Sequence, residues 1–328
     1  MPSKFFLKEV ELIHNDTQSG AAEIADKCLN ALKNECLRLN TKINREKLKK
    51  AIQLLLDTHP MATIENALLP VFLRLLHLIE PDGIQNRDPK TTIELLFATR
   101  REQMRIDELN TVENLTKVLE EKQSILTFSY SSTITNSLLK LAKTGHTDIE
   151  IFILESRPLK EGERTAILLA DSGFKQVHLG IDFAIGEFSQ QAEMVVLGAD
   201  TIYPSGHILN KIGSATIAKL FHMDSKEVLI AASPSKICLR TIINKNQERN
   251  VKIPNRNPKE ISSYSAPNLE IWNKYFEIIQ PDYISSIIMS YHRIFPPVSE
   301  QISNFVETNQ LIEQIRSFRE IWDEVKFK

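Results

Sequence analysis

The sequence predicts an α/β chain: a helical N-terminal domain over residues 1–120, then, over 121–328, a parallel sheet with helices on both faces. Two observations carry this. Eight of the ten glycines lie between Gly145 and Gly213, so tight turns crowd into the middle of the chain. Apolar spacing also changes near residue 120, from intervals of three and four to short β-branched runs alternating with helical stretches.

Taken in order, Ile24, Cys28, Leu29, Leu32 and Cys36 fall largely on one face of a first helix. Leu48, Ala51, Ile52, Leu54 and Leu55 do so on a second, and Ile64, Ala67, Leu68, Val71, Leu75 and Leu76 on a third. Strands are predicted at 124–129, 149–154, 176–179, 194–198 and 228–232, each a short apolar run bounded by turn or helix signals. Strands alternating with helices imply βαβ crossovers and hence a parallel sheet. From Asn244 to Pro267 the chain is polar and aperiodic, with Pro254 and Pro258 inside it, which predicts a long surface loop and a candidate lid. From Ser299 onward, Ile302, Phe305, Leu311, Ile315 and Phe318 return to helical spacing and predict a covering helix.

Composition narrows the function. With 328 residues, the chain has room for about two domains, each able to bury its own core. Lys and Arg number 40 against 42 Asp and Glu, a net charge of −2, which argues against a strongly basic nucleic-acid binder. No uninterrupted apolar run is long enough for a membrane span, and the start meets charge at Lys4, so a soluble, cytoplasmic protein is expected. Cys28, Cys36 and Cys238 are odd in number and widely spaced, and they read as buried thiols rather than metal ligands.

Ligands of parallel sheets bind beyond the carboxyl ends of the strands. The first predicted strand runs into Ser129, Tyr130, Ser131, Ser132 and Thr133, where hydroxyls and backbone N–H groups at a helix start offer either a phosphate cradle or an ordinary cap. The second ends in Glu155-Ser156-Arg157-Pro158, an acid and a cation that pair with each other or meet a ligand. The fourth leads to Asp200, a carboxylate placed to exchange protons or to form a turn, and Asn210 and Lys211 are expected to open the next helix. Lys236 follows the fifth. His207 reads as a solvated turn residue and His178 as a core histidine on its strand. Hydroxyls, an acid, an amide and two lysines suit a phosphorylated polyhydroxy ligand.

These residues resemble one superfamily. Gly198-Ala199-Asp200, Gly206 and Asn210-Lys211-Ile212-Gly213-Ser214 are similar to the G-A-D…G…N-K-I-G-[TS] block shared by the α, β and δ regulatory subunits of initiation factor 2B, ribose-1,5-bisphosphate isomerase and methylthioribose-1-phosphate isomerase. Ile125-Leu126-Thr127 resembles the family's I-L-T-H strand, Glu155-Ser156-Arg157-Pro158 with Gly162 its E-[ST]-R-P…G segment, and Ser235-Lys236-Ile237 its [ST]-x-K-[FI] strand end. The segment Phe276 to Ile284 resembles the family's F-[DE]-x-[TV]-P-x-x-[LI] tail with one extra residue. The resemblance implies a helical domain before a Rossmann-like α/β domain, which dimerises, and no cofactor or metal. It implies that Asp200 and the Ser129 position are catalytic, while Ser131, Ser132, Thr133, Asn210, Lys211, Lys236 and Arg157 bind the substrate and its phosphate.

The departures matter as much. The isomerases continue their first strand into His-Cys, whereas this chain has Phe128-Ser129, and a serine hydroxyl has too high a pKa to replace a proton-transferring thiol. Their R-G-A motif finds only Gln18-Ser19-Gly20-Ala21, and their R-P-T motif at best Pro89-Lys90-Thr91. Three readings stay open: an aldose–ketose isomerase of a sugar 1-phosphate or bisphosphate, a non-catalytic sensor of a sugar phosphate or nucleotide that contacts a translation-factor partner, and a structural relic with an occluded pocket. The first two expect a homodimer or higher homo-oligomer, without direct nucleic-acid or membrane binding.

Overall fold

The computed structural model describes residues 2–16, 19–39, 44–59, 61–79, 88–238, 253–290 and 292–308. They fall into two compact units, one within Met1–Ile106, Ser235–Asn244 and Asn304–Lys328, the other within Asp107–Pro234 and Lys245–Ser303. Leu311, Ile315, Phe318 and the first part of the predicted loop after Asn244 lie outside the described residues.

The first unit is built on α1 (Lys4–His14), α2 (Ala21–Leu39), α3 (Arg45–Leu56), α4 (Ala62–Ile79) and the start of α5 (Pro89–Leu119). The three predicted apolar faces point inward, except that Leu56 takes the buried place expected of Leu54, which is half-buried. Each fully buried Leu, Ile or Phe contributes about 1.5–3 kcal/mol, so these stripes hold the unit together. The three cysteines are free and buried as expected, and burial pushes the Cys28 and Cys36 thiols up to about 12. By length and composition α4 could cross a membrane, but 61% of that stretch is buried inside the protein, which marks it as a core helix. Asp88 caps α5, accepting from the Lys90 and Thr91 N–H groups and from the Thr91 hydroxyl.

The second unit holds a seven-stranded sheet of order β10-β9-β7-β4-β1-β2-β3. Its strands are β1 (Ser124–Phe128), β2 (Glu150–Leu154), β3 (Val177–Gly180), β4 (Met194–Leu197), β7 (Glu227–Ala231), β9 (Ser286–Met289) and β10 (His292–Ile294). All neighbours are parallel except β9 and β10. The five predicted strands are therefore present within a residue or so, and β9 and β10 extend the sheet. One face carries Ile125, Ile151, Ile153, Val196 and Leu229 against the end of α5, α6 (Ser132–Lys143) and α7 (Glu161–Asp171). The other face is covered by α8 (Ile185–Gln191) and α9 (Ser214–Met223). A second, antiparallel sheet of order β5-β6-β8 joins Thr201–Ile202, Ile208–Lys211 and Phe276–Ile279. The described part of the long loop contains a 3-10 turn, Pro258–Glu260, and α10 (Val298–Thr308) begins the predicted final helix.

Candidate functional site

From β1 the chain proceeds to β2 and β3 on one side and then to β4, β7 and β9 on the other, so the connections after β1 and β4 run to opposite sides at the carboxyl ends, the place where ligands of such sheets bind. Ser129 follows β1 and Asp200 follows β4. Ser129 has φ 64°, a left-handed conformation that costs a non-glycine residue about 1–2 kcal/mol. Hydrogen bonds hold it there: its N–H donates to Ser156 Oγ at 2.7 Å, and its carbonyl accepts from Thr165 Oγ1 at 3.0 Å. Ser156, at the end of β2, is itself left-handed at φ 66°. Its N–H and that of Arg157 donate to the two oxygens of Asp182 at 2.7 and 2.8 Å. Two neighbouring strand ends are thus locked into one network of hydroxyl and carboxylate.

Ser131 caps α6, accepting from the Ile134 N–H at 3.4 Å. A Cβ on Gly198 would lie 3.1 Å from both Cβ and Oγ of Ser131, so only glycine lets the end of β4 come this close to the start of α6. Thr133 turns away, donating its hydroxyl to Glu108 on α5 at 2.7 Å. The cradle of three hydroxyls expected from sequence therefore reduces to Ser131 and the half-buried Ser132.

Asp200 is half-buried, and its N–H donates to the Leu209 carbonyl at 2.9 Å, tying the acid to β6. Asn210 and Lys211 do not open a helix. They end β6, paired in register with Glu277 and Phe276 of β8, because the ladder satisfies their backbone groups before Gly213 turns the chain at φ 105° into α9. Asn210 donates to the buried Ser214 hydroxyl at 2.9 Å. The first N–H groups of the helix, those of Gly213 and Ala215, both donate to Glu277 Oε1 at 2.7 Å. Burial nevertheless pushes the Glu277 carboxyl above its ordinary range, with those two bonds working against the shift. The Phe128 ring is buried against Gly213, where a Cβ would come within 2.9 Å of it.

Lys211 is ion-paired within the protein. Its side chain is 6% exposed, and Nζ donates to both carboxylate oxygens of Glu161, at 2.7 and 2.8 Å. The ammonium sits 5.1 Å from the centre of the Tyr275 ring, whose hydroxyl donates to Glu260 at 2.6 Å. Burial and the neighbouring Glu260 raise the Tyr275 pKa, so the phenol stays protonated. Glu155 pairs with Lys160 at 3.7 Å rather than with Arg157, whose side chain is exposed. His178 is not a core residue: 42% of its side chain is exposed, stacked on Phe152 at the sheet edge. His207 bonds Ser205 and Gln280 through its two ring nitrogens.

Lys236 belongs to the first unit, at the end of the 3-10 turn Pro234–Lys236. The carbonyls on either side of it, Ser235 and Ile237, both accept from the Nδ2 of the buried Asn66, at 2.6 and 2.8 Å. Near the R-G-A counterpart, Lys27 donates to Ser19 Oγ at 2.6 Å and pairs with Asp16 at 2.5 Å. Pro89-Lys90-Thr91 is the capped start of α5. Asn66, Glu161, Thr165 and Asp182 were not singled out from sequence, and Glu277 stood only as part of the matched tail segment, without a role. Their partners lie 36 to 171 residues away or, for Asp182, 26 and 25, and the one available signal was a polar residue interrupting an apolar helix face, as at Asn66. Among the described residues no group of His, Cys, Asp and Glu could hold a metal ion.

A mostly parallel seven-stranded sheet with helices on both faces, reversing its order between β1 and β4, defines a doubly wound α/β protein. The chain belongs to the initiation factor 2 subunit family, which matches residues 17–291. It is 29% identical over 296 residues to the ribose 1,5-bisphosphate isomerase of Pyrococcus furiosus, covering 88% of this chain and 89% of that one. To the 5-deoxyribose 1-phosphate isomerase of Clostridium botulinum (strain Loch Maree) it is 26% identical over 252 residues, 71% of each chain. The crystal structure of translation initiation factor eIF-2B from Pyrococcus horikoshii OT3 superposes with a TM-score of 0.74 at 20% identity, over 90% of this chain and 98% of that one, which establishes the shared fold.

Proposed function

We propose that the protein interconverts the aldose and ketose forms of a sugar 1-phosphate. The observation that carries this reading is the alignment over most of both chains with relatives named as isomerases of such sugars, together with Asp200 following the strand at the sheet's switch point. In the reaction the C2 hydroxyl becomes a carbonyl, C1 gains the hydrogen that C2 loses, and the ring oxygen leaves C1 as a hydroxyl. Asp200 accepts the proton that the C2 hydroxyl gives up and returns one to the departing ring oxygen. Ser129, fixed by Ser156 and Thr165, positions the sugar, since its hydroxyl is too weak an acid for the thiol's part. Asn210 and Lys211 orient sugar hydroxyls, while Ser131, Ser132 and Arg157 serve the phosphate. The protein works in the cytoplasm as a homodimer or larger homo-oligomer, without a cofactor.

A second reading, a non-catalytic sensor of a sugar phosphate or nucleotide with a translation-factor partner, is favoured by Phe128-Ser129 standing where the isomerases have His-Cys. One experiment separates the two. Sugar phosphates are screened by thermal shift, and each hit is followed by proton NMR for turnover in wild type and Asp200→Asn. Ligand binding raises the melting temperature by mass action whether or not chemistry follows. Turnover lost in Asp200→Asn supports the isomerase; stabilisation without turnover supports the sensor; no stabilisation by any sugar phosphate or nucleotide removes both.

A further inference from the structure

The two isomerases compared above are named for different sugars, one with phosphates at both ends and one with a single phosphate and a deoxy end. Which kind suits this chain is a question of charge around Lys211. Each phosphate brings about −1.5 to −2 at neutral pH, so a bisphosphate needs a second cationic pole.

Lys211, the buried cation at the end of β6, is not available as that pole. Lys211 has three N–H donors, and Glu161 accepts from it with both carboxylate oxygens at 2.7 and 2.8 Å. With the lysine side chain 6% exposed, solvent and salt screen this pair little. The other anion-attracting feature nearby, the start of α9, is filled as well: the Gly213 and Ala215 N–H groups both go to Glu277. On its remaining side Lys211 meets the Tyr275 ring, whose hydroxyl is committed to Glu260. A second phosphate here would compete with one carboxylate for the ammonium and with another for the helix start. A hydroxyl or deoxy end needs neither.

We infer that Glu161, by neutralising Lys211, makes this site select a sugar carrying one phosphate, with its uncharged end toward Lys211, over a sugar bisphosphate. The inference rests on the sugar-phosphate reading above. It makes Glu161 a specificity-determining residue that acts through Lys211.

The test uses the full chain with 5-deoxyribose 1-phosphate, ribose 1-phosphate and ribose 1,5-bisphosphate, measuring thermal shift and kcat/KM by proton NMR. We expect wild type to favour the monophosphates by about tenfold or more. Glu161→Gln, which keeps the shape and removes the charge, should swing the ratio toward the bisphosphate by about tenfold, chiefly through KM. In a Lys211→Met background the same change should leave the ratio where it was. A wild-type preference for the bisphosphate, or a ratio unmoved by Glu161→Gln, overturns the inference while leaving the isomerase reading intact. If none of the three sugars shifts the melting temperature or turns over, the reading itself fails and takes the inference with it. Should Glu161→Gln not fold, the wild-type preference decides alone.

Discussion

A methyl group on Gly162 would sit 1.8 Å from the carbonyl oxygen of Leu154, closer than atoms can approach. Gly162→Ala must push the start of α7 off the end of β2, and we expect a loss of about 3 kcal/mol or more in urea unfolding. The glycine was visible in the sequence as part of a matched segment; its reason, a backbone oxygen eight residues upstream, was not. The cysteines run the other way. Apolar spacing alone placed Cys28 and Cys36 on buried helix faces, and with their thiols pushed up to about 12 they hold little thiolate at neutral pH. A thiol reagent at pH 7.5 should label them slowly in the native protein and promptly in urea. Rapid native labelling would show that α2 opens locally.

At the scale of elements, helix starts and strand ends are coupled in pairs. Removing the cap with Ser131→Ala should destabilise α6 by about 1 kcal/mol. Gly198→Ala should cost about 1–2 kcal/mol by pressing a methyl on Ser131, and most of that penalty should vanish in Ser131→Gly. Additive losses would mean that the two elements do not touch. At the start of α9, the Glu277 carboxyl titrates above its unfolded value, so its contribution to stability is full below the unfolded pKa and falls as pH rises through the folded one. Glu277→Gln still offers an oxygen to Gly213 and Ala215 without the buried charge. Its stability relative to wild type should therefore rise from acid to neutral pH, read as denaturant midpoints at several pH values. The five predicted strands and three apolar helix faces were legible because each repeats a spacing within itself. The turn of Asn210 and Lys211 into β6 was not, because its pairing partner is β8, some 66 residues on.

For the whole molecule, the edge of the seven-stranded sheet is apolar. Leu179, Ile181 and Phe183 follow one another along β3 and its exit, with Phe183 93% exposed, and Ile167 is exposed on α7, which packs on β3. Monomeric proteins seldom leave such a cluster open, so we propose this edge as a contact between copies of the chain. Light scattering after size exclusion should show Phe183→Glu shifting the population toward monomer at micromolar concentration without lowering the monomer's melting temperature. An unchanged mass would rule this edge out as a contact between copies.

The sequence by itself determined three apolar helix faces, the five central strands, the buried cysteines and the family to which the chain belongs, because periodicity and motif spacing are local properties. Tertiary structure alone decided what those strand-end residues do to one another. Thr133 is spent on Glu108, Lys211 is neutralised by Glu161, and Glu277 fills the start of α9. Each of these joins residues 25 to 64 positions apart, and the field at a site is a sum over such neighbours, which no single stretch of chain contains.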